Sequence, residues 1–381
     1  MPAAPDRRTV LRLGTVTAVT FLAAGCTGSQ GSPGPVDRQR RLDEEARARA
    51  IARTRLLLAE TNQLHPTTPA LAALLAAVPT LHRAHLQALG VTDGPAAAST
   101  AGSAPAGSAA TGGSSPGPSR SPAPPTVADL VARTVAAANQ NLAEVSAVSA
   151  ALAQLIAQVA AGQADQADRL TVAASLPMPA PTAGTLVSRP DPSAGTAASP
   201  PLPSSSAASA EPAGSGSASG PGTDAGIAAG SAPGSTAVSP TPARPVSRTE
   251  ALVAVAGAEQ ALDYVFGVLA ARAGTATRAR ITTAWAEHRQ RLTFVAIELR
   301  ASGATMPAAP AGYDLGEPPA TDAALLDLAR SAENGCTGVL LGLVARSEGA
   351  LRSQLAAEAV AQARRTRQWQ PQPAAFPGSA G

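Results

Sequence analysis

Hydrophobic residues recur every three or four positions in two separate parts of the chain, with polar residues between them. This spacing places the hydrophobic residues on one face of an α-helix. The sequence therefore predicts an all-α fold. In the first part the helices are expected over 42–63, 68–89 and 126–173, with a break at 146–149, and in the second over 249–273, 277–301, 322–346 and 348–369.

Two stretches separate these helices and contain almost only Ala, Ser, Gly and Pro, over residues 94–125 and 174–246. Such a composition cannot bury a hydrophobic core, so both stretches are expected to be disordered. Residues 40–173 then form a looser, Ala-rich helical bundle, and residues 247–378 form a four-helix domain. A long flexible connection predicts that the two bundles move independently.

The N-terminus has the pattern of an export signal. Arg7 and Arg8 precede a short apolar run that ends in Leu22-Ala23-Ala24-Gly25-Cys26. Paired arginines before such a run indicate a twin-arginine signal, and small residues before a cysteine indicate lipid attachment at that cysteine. We expect a signal peptide over 1–25 and a tether over 26–39. An ordinary signal peptide with an incidental cysteine is the alternative.

Each predicted helix of the second part carries one ionisable residue among its hydrophobic positions: Glu259, His288, Glu333 and Glu358. A carboxylate on the inner face of a bundle is costly unless it is paired or bound to a metal. These residues are candidates for an iron or manganese site, for a buried hydrogen-bonded cluster that fixes helix register, or for the lining of a wet pocket.

Further motifs of this part are Ala258-Glu259 with Tyr264-x-Phe266-Gly267, His288-Arg289-x-Arg291, Pro310-x-x-Tyr313 and the closing Phe376-Pro377-Gly378. With these motifs the segment resembles an actinobacterial domain of unknown function that is assigned a ferritin-like fold. The resemblance implies a fold more than an activity. The Glu-x-x-His pairs of metal-binding ferritin-like proteins are missing. The residue three positions after Glu287 is Gln290, and the residue three positions after Glu358 is Ala361, where such proteins have histidine.

Other reactive side chains have simpler interpretations. Cys336 lies among hydrophobic positions and is expected to be a core residue. His82 and His85 are one helical turn apart and are expected to be half-exposed, with a metal clamp as the alternative. Arg364, Arg365 and Arg367 are expected to form a solvated helix C-terminus.

The sequence favours a lipoprotein on the extracytoplasmic face of the cell membrane, held there by a lipid on Cys26. Its C-terminal bundle is expected to bind an envelope protein or small ligand without catalysis. Handling of iron or manganese outside the cytoplasm is the alternative function, and a purely structural role in the envelope is a third. The net charge of +3 is small, and no segment alternates basic and aromatic residues, so nucleic acid is not an expected partner.

Overall fold

The computed structural model describes residues 34–92, 125–179, 186, 244–315, 319–370 and 372–378. Within these ranges the chain forms eight α-helices, one short 3-10 turn at Arg367–Trp369 and no strand, which confirms the all-α prediction. The helices are α1 Pro35–Thr61, α2 Pro69–Ala88, α3 Val127–Glu144, α4 Ala150–Ala173, α5 Arg248–Arg272, α6 Thr275–Ala301, α7 Asp322–Arg346 and α8 Gly349–Thr366. The predictions for Arg7, Arg8, Cys26 and most of both linkers lie outside the described residues.

Several helices begin where the side chains satisfy the first backbone N–H groups. Thr126 and Asp129 form a reciprocal capping box at α3, and Ser247 and Glu250 form another at α5. Proline occupies the first turn of α1, so that helix begins inside the segment expected to be a tether. The capping boxes and the proline explain why α1, α3 and α5 begin at these residues.

The C-terminal half consists of two helical hairpins, α5–α6 and α7–α8, joined by the connection over 302–321. Each hairpin packs along its own length, and α5 also packs against α7. The largest fully buried side chain of this half is Phe266 on α5, and it belongs to one buried hydrophobic cluster with residues of all four helices. The result is a helical bundle with its hydrophobic core at the centre.

The two halves of the chain share one hydrophobic core. Helix α4 packs against both α7 and α8, and its Leu152, Ile156 and Ala160 belong to the same buried cluster as Phe266. The expectation of independently moving bundles is therefore wrong, because the Ala-rich face of α4 is buried against the C-terminal helices. Leu186, which the sequence assigned to a disordered linker, is also buried in this core.

Helix α5 is long and apolar enough to cross a membrane, and it is the one helix among the described residues with this property. Less than half of its most apolar window is buried in the bundle. Length and composition alone do not separate a spanning helix from the central helix of a bundle. Its position between α6 and α7, with Glu259 on its buried face, is that of a central helix.

Candidate functional site

The bundle interior contains all four ionisable residues singled out from the sequence. Glu259, Glu333 and Glu358 are completely buried, and His288 is 1% exposed. They come from four different helices, α5, α7, α8 and α6. The three- and four-residue spacing of the hydrophobic positions brings them together, because each polar residue lies on the face that its helix turns to the core.

His288 bridges two carboxylates. Its Nδ1 lies 2.9 Å from Oε2 of Glu259, and its Nε2 lies 3.1 Å from Oε1 of Glu333. An ionised carboxylate only accepts hydrogen bonds, so each ring nitrogen must donate a proton. His288 is therefore a buried imidazolium between two glutamates, and the ring of Phe266 covers it at 5.0 Å between centroids.

Arg291 joins the third carboxylate to this group. Its Nε donates to Oε1 of Glu259 and its Nη2 donates to Oε1 of Glu358, both at 2.7 Å. Arg365 approaches the same Glu358 oxygen at 3.5 Å. Three carboxylates thus face three cations, namely His288, Arg291 and Arg365. We call these six residues the ionic cluster; their formal charges cancel.

Polar neighbours from α8 and the following 3-10 turn complete the bonding of Glu333. Gln362 donates through Nε2 to Oε2, and the Trp369 indole donates to Oε1 at 3.2 Å. The side-chain Oε1 of Gln362 in turn accepts from Arg365. Every oxygen of Glu259 and Glu333 therefore has a donor, which is the condition under which buried carboxylates are tolerated.

The cluster shifts the ionisation of its members. Burial by itself lowers the pKa of His288, but its hydrogen bonds to Glu259 and Glu333 and the charges of these two carboxylates outweigh burial and raise that pKa to about 9. Burial raises the pKa of Glu259, yet the charges of Arg291 and His288 lower it to about 2. Both shifts favour the charged forms, as the geometry requires.

The cluster does not fit a metal ion. Both His288 nitrogens and all four oxygens of Glu259 and Glu333 are occupied by partners within the protein. Oε2 of Glu358 has no partner among the described residues, but two arginines lie beside this carboxylate and would repel a divalent cation. No group of three or more His, Cys, Asp or Glu in the described ranges has the geometry to hold a metal.

Cys336 lies beside this cluster as a buried core residue, as its sequence position indicated. Burial, followed by the nearby charge of Glu259, raises its pKa well above the ordinary thiol value. A thiol that keeps its proton is a poor nucleophile.

The structure corrects the expectation for His82 and His85, since both are fully buried rather than half-exposed. Nε2 of His85 donates to the carbonyl of Ala375 at 2.6 Å, and Nε2 of His82 lies 3.2 Å from the Gln166 amide nitrogen. Burial lowers their pKa values to about 4 and about 3, respectively, so both rings are neutral near pH 7. Their burial was missed because the covering residues are distant in sequence.

The three arginines at the end of α8 are not a solvated helix terminus. Arg364 makes a two-pronged ion pair with Asp168 on α4, at 2.8 and 2.6 Å, and Arg367 approaches the same carboxylate at 3.6 Å. Arg365 belongs to the ionic cluster. The prediction was wrong because α8 packs against α4, which supplies the buried partner Asp168.

Comparison with known protein families gives a match, which covers part of the chain. A domain of unknown function (DUF4439) covers the C-terminal third of the chain, residues 251–381. This DUF4439 domain contains all six residues of the ionic cluster, and helices α1–α4 lie outside it. No curated protein and no solved structure matches the chain significantly.

Sequence reasoning did not place Arg291, Gln362 or Arg365 in the site. Arg291 is one turn beyond His288, and Gln362 is one turn beyond Glu358, so both lie on the inward side of their helices. A search for polar residues one turn from each buried charge would have found them. The long arginine side chains reach the cluster from the edge of the bundle, where they remain partly exposed.

Proposed function

We propose that this chain is a lipoprotein of the cell envelope, exported by its twin-arginine signal and anchored through Cys26. We further propose that its DUF4439 domain has a ferritin-like arrangement and serves as a non-catalytic binding or interaction module. Two helical hairpins joined by one long connection, as in α5–α6 and α7–α8, support the ferritin-like relation.

The non-catalytic part of the proposal rests on the hydrogen bonding of His288. It is the only histidine of the domain, and both of its nitrogens are held by buried carboxylates. General acid–base catalysis needs a group that can exchange a proton with a substrate, and metal catalysis needs a free donor atom. A closed, charge-balanced cluster serves instead to fix the register of four helices behind a binding surface.

A pull-down with surface variants tests the interaction role. Helices α5 and α6 expose the apolar residues Val253 and Ile297, the latter 57% exposed, on the outside of the bundle. We expect an envelope protein recovered with the full chain from detergent-solubilised membranes to be lost with Ile297→Glu. Val172→Glu on α4 is the control, because Val172 is 63% exposed and lies outside the domain. Repeated recovery of no protein, or equal loss with both variants, contradicts the role.

An intact-mass measurement of the membrane form tests the anchor separately. We expect a mature chain that begins at Cys26 and carries diacylglycerol, and we expect Cys26→Ser to release the protein from the membrane fraction. Two long acyl chains provide stable anchoring, because each buried CH₂ contributes about 0.8 kcal/mol. An unmodified Cys26 in the membrane form contradicts the lipoprotein assignment and leaves the interaction test unaffected.

A further inference from the structure

The last residues that the structure describes return across the molecule and contact helices from both halves. We call residues 370 and 372–378 the C-terminal tail. The carbonyl of Gln370 accepts from Nη1 of Arg169 on α4 at 2.9 Å, and the carbonyl of Ala375 accepts from His85 on α2 at 2.6 Å. The ring of Phe376 packs on the His85 ring at 5.3 Å between centroids, and Pro377 is buried. The tail is therefore held through its backbone carbonyls and through one aromatic side chain.

Glycines provide the space in which the tail lies. A Cβ atom on Gly162 of α4 would lie 2.6 Å from the Ala375 carbonyl oxygen and 3.0 Å from Nε2 of His85. A Cβ atom on Gly338 of α7 would lie 3.0 Å from the Gly378 oxygen. Gly378 itself has a φ of +82°, a conformation that other residues adopt only under strain. We call the surface formed by His85, Gly162, Arg169, Thr337 and Gly338 the tail groove.

We propose that the tail groove is a peptide-docking site, and that the chain's own C-terminal tail occupies it as an intramolecular ligand. Three features are those of peptide recognition: donors aimed at backbone carbonyls, an aromatic anchor and glycines that allow close backbone approach. The groove uses α2 and α4 from the N-terminal half and α7 from the domain. Docking of the tail therefore fastens the two halves together and covers the buried His85 ring.

The proposal depends on neither the lipid anchor nor the interaction surface of α5 and α6. It predicts that the tail detaches when the groove is filled, while the helices remain folded. Gly162→Ala places a methyl group 2.6 Å from the Ala375 carbonyl oxygen, which is closer than two such atoms can approach, so we expect the tail to leave. Gly335→Ala is the matched control, because Gly335 lies one turn from Gly338 and a Cβ atom there meets no atom within 4 Å.

The direct readout is ¹⁹F NMR of the full chain in detergent, with 4-fluorophenylalanine at position 376. We expect the parent protein and Gly335→Ala to give a signal shifted from that of a free peptide with the sequence of residues 370–381. Gly162→Ala should give the free-peptide signal with unchanged helix content by circular dichroism. A Gly162→Ala protein that retains the parent signal overturns the proposal. If Gly162→Ala loses its helices, Gly338→Leu gives the same test from α7, because a side chain larger than a methyl group at this position must displace the Gly378 backbone.

A second experiment tests whether the groove binds a separate peptide. Phe376→Ala removes the aromatic anchor and leaves the groove intact. We expect a fluorescein-labelled peptide of residues 370–381 to bind this variant, and to bind the Gly162→Ala/Phe376→Ala double variant at least about tenfold more weakly. Equal binding to both variants, or no binding to Phe376→Ala, overturns the docking site. A parent protein that is a dimer with the tail exchanged between copies contradicts occupation within one chain.

Discussion

At the residue scale, His288 determines the character of the bundle interior. Its two carboxylate partners come from α5 and α7, so one ring connects three helices. A buried ion pair that loses one partner leaves an uncompensated charge in a medium where charges are poorly solvated. The stability of the domain should therefore respond strongly to this one residue.

We expect His288→Gln to lower the free energy of unfolding by about 3 kcal/mol, because it leaves Glu259 and Glu333 as buried carboxylates without their shared cation. Urea denaturation followed by circular dichroism measures the change. His65→Gln is the control, since His65 is exposed and should leave the stability nearly unchanged. A similar small effect in both variants contradicts the structural role of His288.

The histidines also predict how stability depends on pH. The pKa of His288 rises from 6.5 to about 9 on folding, so its contribution is complete below pH 6.5 and is lost as the pH rises through about 9. Burial lowers the pKa of His82 to about 3 and that of His85 to about 4, so their contributions are lost as the pH falls below 6.5. Thermal unfolding should give the highest Tm near pH 6.5.

His288→Gln separates the two sides of this profile. The variant should lose the decrease in Tm between pH 7 and 9 and keep the decrease on the acid side. A parent protein whose Tm is constant between pH 7 and 9 contradicts a charged His288 in the folded state.

The sequence predicted the four buried ionisable residues but not all of their partners. Three- and four-residue spacing is a local property, so it placed Glu259 and Glu333 on inward faces correctly. Which donor reaches which oxygen depends on how the helices pack. Gln362 and Trp369 meet Glu333 only because α8 and the turn after it lie along α7.

At the element scale, α2 shows a conflict between local preference and packing. Proline in a helix interior usually kinks or splits the helix, yet α2 is continuous over Pro69–Ala88 with Pro79 inside it. Proline lacks the N–H that would bond to the carbonyl one turn earlier and crowds that carbonyl. The burial of Val78, His82 and Leu86 on neighbouring turns holds the helix despite this cost.

We therefore expect Pro79→Ala to stabilise the protein, by up to about 3 kcal/mol, because it restores a backbone hydrogen bond and relieves the steric clash. Chemical denaturation measures the gain. Pro69→Ala is the matched control on the same helix: Pro69 lies in the first turn, where proline is favoured, and its replacement should give no gain. A loss of stability in Pro79→Ala would contradict this expectation.

At the scale of the whole molecule, α4 is the element that unites the two halves. Its apolar face lies in the core with α7 and α8, and its Asp168 binds Arg364 through two hydrogen bonds. Sequence analysis separated the halves because the long Ala/Ser/Gly/Pro stretch indicates a flexible connection. The composition of that stretch does not show that the small alanine side chains of α4 let this helix approach the domain closely.

We expect Asp168→Asn to lower the free energy of unfolding by about 2 kcal/mol, because Arg364 and Arg367 lose a buried carboxylate between the halves. Asp327→Asn is the control, as Asp327 forms an exposed pair with Arg330 on α7 and should have little effect. Parent-protein unfolding should be one transition by both circular dichroism and Trp fluorescence. Two separate transitions would show that the halves fold independently.

The ionic cluster of the domain is built around a histidine cation that bridges two glutamates, and not around a metal ion. The chain has only four histidines, so ¹⁵N-histidine labelling gives a readable spectrum of their ring nitrogens. At pH 7.5, with His288→Gln for assignment, we predict that both His288 nitrogens carry protons and that His82 and His85 are neutral. A neutral His288 ring, or one whose nitrogen signal shifts on addition of Fe²⁺ or Mn²⁺, would contradict the account.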